Sequence, residues 1–170
     1  DSRAIQAGTC LAQKLVIQLS PQQRVAADLS EITMAIKCGG SDATSGMASN
    51  CVIGQVADRL VDLGATVVFG ETTEFLGAEH ILARRAATPE VAERIYEIVS
   101  AMESRAKSLG CDMRKGQPTP GNILGGLSTI EEKSLGAIMK SGSRPIQGVL
   151  NYPDRITTQM RDVQGMLGEI

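Results

Sequence analysis

Cys38, Asp42, Glu71 and Glu74 are the residues whose types and spacing point most directly to chemistry. Cys38 opens the stretch Cys38-Gly39-Gly40-Ser41-Asp42-Ala43-Thr44-Ser45-Gly46, and Glu71 and Glu74 bracket two threonines. A thiolate suits iron or zinc, yet a cysteine is equally at home as a small buried hydrophobe. Two neighbouring carboxylates hold a divalent cation or act as base and acid; they also decorate ordinary solvated loops. The glycine turn either brings backbone N–H groups to an anion or simply turns the chain from strand to helix. It matches neither GxGxxG nor GxxxxGK[ST], and Asp42 disfavours a phosphate there unless a metal intervenes.

Other candidates are weaker. His80 is the only histidine and follows Glu79 close to Glu74; a lone histidine is more often structural than catalytic. The lack of a GxSxG and the single candidate base argue against a serine hydrolase. The segment 116–126 is too rich in proline and glycine for regular structure, and long irregular loops inside compact domains are often functional. Its Asn122 is suited to hydrogen-bond a substrate hydroxyl. Lys133 and Lys140 share a helix face to within about 20°. One of them can meet a carboxylate, although solvated helix charge is the simpler reading.

Strands and helices must bring these residues together. Residues 32–37 read as a short apolar strand, 48–63 as an amphipathic helix stopped by Gly64, and 65–69 as a second strand. Strand, turn, helix and strand within about 40 residues make a βαβ unit with parallel strands. Ligands bind at the carboxyl ends of such strands. Cys38 and Asp42 follow one strand and Glu71 and Glu74 the other, so both loops are expected to open on one edge. Helices are also expected over 4–19, over 76–87, from Thr88-Pro89-Glu90 to Leu109, and over 128–140, where Ser128 caps and Glu131 completes a capping box. Residues 146–150 form a further candidate strand, and the tail from Gln159 reads as short and helix-like.

The composition sets outer bounds. A chain of 170 residues suits one domain and buries roughly 70% of its unfolded surface. Only two Phe and two Tyr are present, so Leu, Ile, Val, Ala and Met are expected to form the core. A net charge of −2 without a basic stripe argues against nucleic acid. No apolar run approaches the roughly 20 residues that span a bilayer. Four scattered cysteines without a CxxC fit a reduced, cytoplasmic protein. The absence of an initial Met reads as a processed chain or a fragment.

Longer motifs go further. Cys38-Gly39-Gly40-Ser41-Asp42-Ala43, Ser45-Gly46, Ser49-Asn50, Gly64-Ala65-Thr66-Val67-Val68 and Glu71-Thr72-Thr73-Glu74 resemble the altronate and D-galactarate dehydratases. So do Arg85-Ala86-Ala87-Thr88-Pro89-Glu90-Val91-Ala92, Thr119-Pro120-Gly121-Asn122, Gly125-Gly126-Leu127-Ser128, Glu132-Lys133-Ser134-Leu135-Gly136 and Lys140-Ser141-Gly142, in collinear order. Gly77-Ala78-Glu79-His80 is closer to the altronate branch, and sulfolactate sulfo-lyase large subunits are similar in the same places. Two departures stand out: Cys51 replaces a proline frequent in the family, and the family's small N-terminal domain and later glycine-rich segment have no counterpart here.

The resemblance implies a Rossmann-like three-layer α/β domain with a mostly parallel sheet, incomplete in this chain, with residues 1–170 forming part of a larger catalytic region. It implies a hydro-lyase that converts a sugar acid to a 2-keto-3-deoxy acid with a divalent metal, Fe(II) or Mn(II), and a homodimer whose other partner is a small hydroxy acid. The metal would sit on Cys38, Asp42 and Glu71. Gly39, Gly40, Ser41 and Asn122 would bind substrate, and Lys133, Glu74 or His80 would move protons. The metal would stabilise the enediolate formed when the C2 proton leaves, and the C3 hydroxyl would then depart. The rival expectations are a sulfo-lyase releasing sulfite and a non-catalytic dimerisation or ligand-binding module.

Overall fold

The computed structural model describes residues 2–150 and the backbone of Met166–Gly168. The fold is mixed α/β and helix-rich. Strands β1 (Thr33–Ile36), β2 (Thr66–Phe69), β3 (Gly148–Leu150) and β4 (Met166–Gly168) lie in the order β1-β2-β4-β3, and all their pairings are parallel. Helices α1 (Ser2–Leu19), α2 (Ser49–Asp62), α3 (Glu79–Ala83), α4 (Pro89–Ser108), α5 (Met113–Gly116), α6 (Pro120–Leu124) and α7 (Ile130–Ile138) complete the fold with short 3-10 turns.

The expected βαβ unit is present as β1-α2-β2, with Thr33 opposite Thr66 and Ile36 opposite Phe69. Gly64 ends α2 at φ +88°, a conformation a Cβ would oppose. All four residues of β2 are buried, as befits an interior parallel strand. The core gathers Val67, Phe69, Phe75, Leu76, Leu82, Ile95 and Ile146. Phe69 and Phe75 meet edge to face, with ring centroids 5.9 Å apart. Both phenylalanines are therefore central, and among the described residues no Met is fully buried, although Met34 and Met113 pack against the core. The expected contribution of Met is thus made from the margin of the core, by Met34 and Met113.

Several expected boundaries are corrected. The 76–87 segment contains a helix only over Glu79–Ala83; Ala86 instead bridges to Ile146, and Ala87 N–H donates to the Ile146 carbonyl. The 116–126 segment is partly regular. Thr119 caps α6, Pro120 occupies its first turn, and Asn122 closes a capping box. Proline and glycine there mark a short helix's ends, not its absence. The cap of α7 is Thr129 rather than Ser128, and Glu132 rather than Glu131 is the acid that reaches back, accepting from Ser128. The end of the chain contributes β4, where the ladder between β2 and β3 satisfies its backbone, so the helix-like reading fails at Met166–Gly168; 151–165 lie outside the described residues.

Helix α1 forms as expected, with Ile5, Leu15, Val16 and Leu19 on one side, but none of its residues is buried. No described helix is long and apolar enough to cross a membrane.

Candidate functional site

The ends of β1 and β2 bring their loops together. Cys38, two residues past β1, and Glu71 and Glu74, just past β2, each place one ligand atom within 4.8 Å of the others. Glu71 is fully buried. Its Oε1 accepts from Lys140 Nζ at 2.6 Å, while its Oε2 has no hydrogen-bond partner and lies 3.9 Å from Lys37 Nζ. Burial pushes the Glu71 carboxyl above its usual range, against the pull of Lys140. Burial also acts to raise Glu74, but hydrogen bonds from Thr73 and Lys37, with the charges of Lys37 and Lys133, outweigh it and hold that carboxyl below its usual range. Both bonds fall on Glu74 Oε2, with Lys37 at 3.0 Å.

A cavity of about 600 Å³ opens against this group. Cys38, Gly39, Gly40, Ser41, Asp42 and Glu74 line one side, and Gln117, Thr119, Asn122 and Lys133 the other. Close approaches hold the two sides in register. A Cβ at position 46 would sit 2.7 Å from the Gly136 Cα, and one at 125 would sit 2.8 Å from the Asp42 Cβ. These glycines let the turn after β1 press onto α6 and α7. Ala43 N–H donates to the Gly125 carbonyl, and Asn50 Nδ2 to the Gly136 carbonyl, across the same seam.

The expected site residues divide clearly. Cys38, Glu71 and Glu74 meet; Gly39, Gly40, Ser41, Asn122 and Lys133 line the adjoining cavity. Asp42 also lines it but stands outside the Cys38-Glu71-Glu74 group, because its Oδ1 accepts from Thr44 and Ser45 within its own turn. Those bonds, Thr44's first, lower its carboxyl. His80 is exposed on α3 and absent from the cavity wall. Lys140, left as solvated charge by the sequence, is buried against Glu71. Its spacing from Lys133 was the available signal, but nothing local distinguishes a buried helix lysine from a solvated one.

Residues 29–164 match the family described as D-galactarate/altronate dehydratase, C-terminal. The chain belongs to that family. It is similar to the (2R)-sulfolactate sulfo-lyase subunit beta of Chromohalobacter salexigens, 44% identical over 92% of this chain and 41% of that protein. It is 40% identical to the galactarate dehydratase (L-threo-forming) of Escherichia coli over 86% of this chain and 28% of that one. It is 35% identical to the altronate dehydratase of Bacillus subtilis over 91% of this chain and 31% of that one. The chain thus spans less than half the length of the relatives it matches, all of which are named as lyases. Within this dehydratase family, the conjunction of strand-end thiol, strand-end carboxylates and polar cavity is the part of the molecule with chemical potential.

Proposed function

We propose that this chain forms part of the active site of a hydro-lyase that dehydrates a sugar acid to a 2-keto-3-deoxy acid. The observation that carries the reading is Glu71 Oε2, a fully buried carboxylate oxygen without a hydrogen-bond partner, in the same group as the Cys38 thiol. Lys37 Nζ at 3.9 Å is too far to hydrogen-bond this oxygen, and a buried carboxylate oxygen left so is costly unless a proton or a closer cation completes it. Thiol and carboxylate together suit a borderline divalent ion such as Fe(II), with Mn(II) as an alternative. Cys38 and Glu71 would hold it. When bound, it would supply Lewis-acid stabilisation of negative charge developing on the substrate carboxylate.

The protein's own groups account for the rest. Glu74, held ionised and with Oε1 free of protein partners, takes the C2 proton at the cavity wall and returns a proton to the departing C3 hydroxyl, which leaves as water; the enol then becomes the 2-keto acid. Gly39, Gly40 and Ser41 border the substrate on one side and Asn122 on the other. Asp42 serves the turn instead of the metal. In the complete protein we place this parallel sheet in a Rossmann-like three-layer domain.

A second reading has a specific observation behind it: the 44% identity to a sulfo-lyase subunit. The same proton abstraction followed by loss of sulfite gives that reaction. Incubating the full-length protein with D-altronate, D-galactarate and (2R)-sulfolactate separates the two. A 2-keto acid from either sugar acid supports dehydration, and sulfite release supports the second reading. Retention of turnover by both Cys38→Ala and Glu71→Gln would sink the site assignment.

A further inference from the structure

Lys133 is 8% exposed, and its Nζ donates to Gln117 Oε1 at 2.7 Å and to Asn122 Oδ1 at 3.0 Å. Both acceptors are neutral amides. The orientation of Asn122 is fixed independently: its Nδ2 donates to the Ser41 carbonyl at 2.8 Å, and its Oδ1 also accepts from Thr119 N–H and Oγ1. Asn122 therefore has only its oxygen to offer the lysine. An ammonium has three N–H donors, so one remains on the cavity wall without a protein partner. No carboxylate among the described residues forms an ion pair with Lys133, in contrast to Lys140.

The opposite wall has the same character. The backbone N–H groups of Gly39, Gly40 and Ser41 donate to no described acceptor. A Cβ at Gly39 or Gly40 would meet nothing within 4 Å, so protein packing does not explain these two glycines. What a Cβ would occupy there is open cavity. Successive N–H groups without protein acceptors and a charged nitrogen, on residues that line one cavity, are the elements of a concave anion-binding surface.

We propose that Lys133 and the Gly39–Gly40–Ser41 backbone form an oxyanion subsite that anchors a carboxylate or sulfonate group of the substrate. This subsite deepens the lyase reading and rests on it for the name of the substrate, but binds the anion without the metal. Lys133 here anchors and does not abstract a proton; Gln117 and Asn122 are the positioning residues that aim it. The ligand class is a small hydroxylated acid. A neutral polyol of the same size is excluded, because it brings no negative charge to the remaining N–H of Lys133 and the glycine-turn amides.

The test uses metal-stripped chain at low ionic strength, titrated with L-tartrate, with isethionate and with erythritol, and followed by amide NMR and calorimetry. Tartrate, isethionate or both are expected to bind saturably and shift the Gly39 and Gly40 amides, and the stronger of the two names the source as carboxylate or sulfonate. Erythritol is expected to cause no shift. Lys133→Met should weaken anion binding about tenfold or more, while Lys107→Met, on the exposed face of α4, leaves it unchanged. Anion binding equal in Lys133→Met and the parent overturns the proposal. So does absence of any Gly39 or Gly40 shift in the parent, a result that depends on no variant. Mn(II) binding is measured on the same samples: loss of metal binding by the parent would sink the metal reading while the anion titration still stands or falls separately.

Discussion

Lys133 lies in α7 and Lys140 in the 3-10 turn that follows it, yet they meet opposite environments. Lys140 closes a buried ion pair at 2.6 Å with Glu71. Lys133 is held by two amide oxygens on the wall of a cavity. One lysine neutralises a charge that the fold has buried; the other presents a charge that the fold leaves available. Burial alone does not separate a structural lysine from a functional one. The partners do.

The comparison breaks most visibly at Lys140. Lys140→Met leaves the Glu71 carboxylate buried without its nearest counter-charge, and removal of one partner from such a pair costs about 3–5 kcal/mol. A urea midpoint that barely moves would show that the pair contributes nothing. The next effect comes from the seam that sets Lys133 against the glycine turn. Gly46→Ala drives a methyl into the Gly136 backbone and should cost about 1–3 kcal/mol, read from the same unfolding curves. Lys133→Met removes two charge-assisted hydrogen bonds but also a buried charge, and it substitutes a side chain of similar length, so these terms offset and stability should fall by about 1–2 kcal/mol. That variant should lose anion binding while remaining folded, the reverse of Lys140→Met.

The smallest effect is a pH dependence at Asp42. Its carboxyl is depressed by hydrogen bonds from Thr44 and then Ser45, so its contribution is fully present above the ordinary value of 3.8 and disappears as pH falls through the lower folded value. The Thr44 and Ser45 amide resonances should report that loss in acid. An Asp42→Asn chain should show no such titration. If Asp42 were instead a metal ligand, metal affinity rather than turn geometry would respond.

The sequence made the β1-α2-β2 unit legible because two short apolar strands flank a helix of clear period, with Gly64 to stop it. That topology also made the meeting of Cys38 with Glu71 and Glu74 predictable, since parallel strands end on one edge. Helix α6 was hidden because proline and glycine near its ends resemble breakers until Thr119 and Asn122 are seen to cap each other. The amphipathic pattern of α1 correctly announced a helix but carried no information on what, if anything, it packs against. Asp42 reaches the cavity wall as expected, but spacing cannot show that its Oδ1 is also taken up by its own turn. Which of Lys133 and Lys140 meets a carboxylate is not legible, because the partner of Lys140 is 69 positions away in the chain.

The most direct test is anaerobic equilibrium dialysis of the chain against Fe(II) under reducing conditions. Stoichiometric binding is predicted, abolished by Cys38→Ala and by Glu71→Gln and retained by Asp42→Asn. No binding by the parent chain, or full binding by both Cys38→Ala and Glu71→Gln, would contradict the assignment of the metal to these residues.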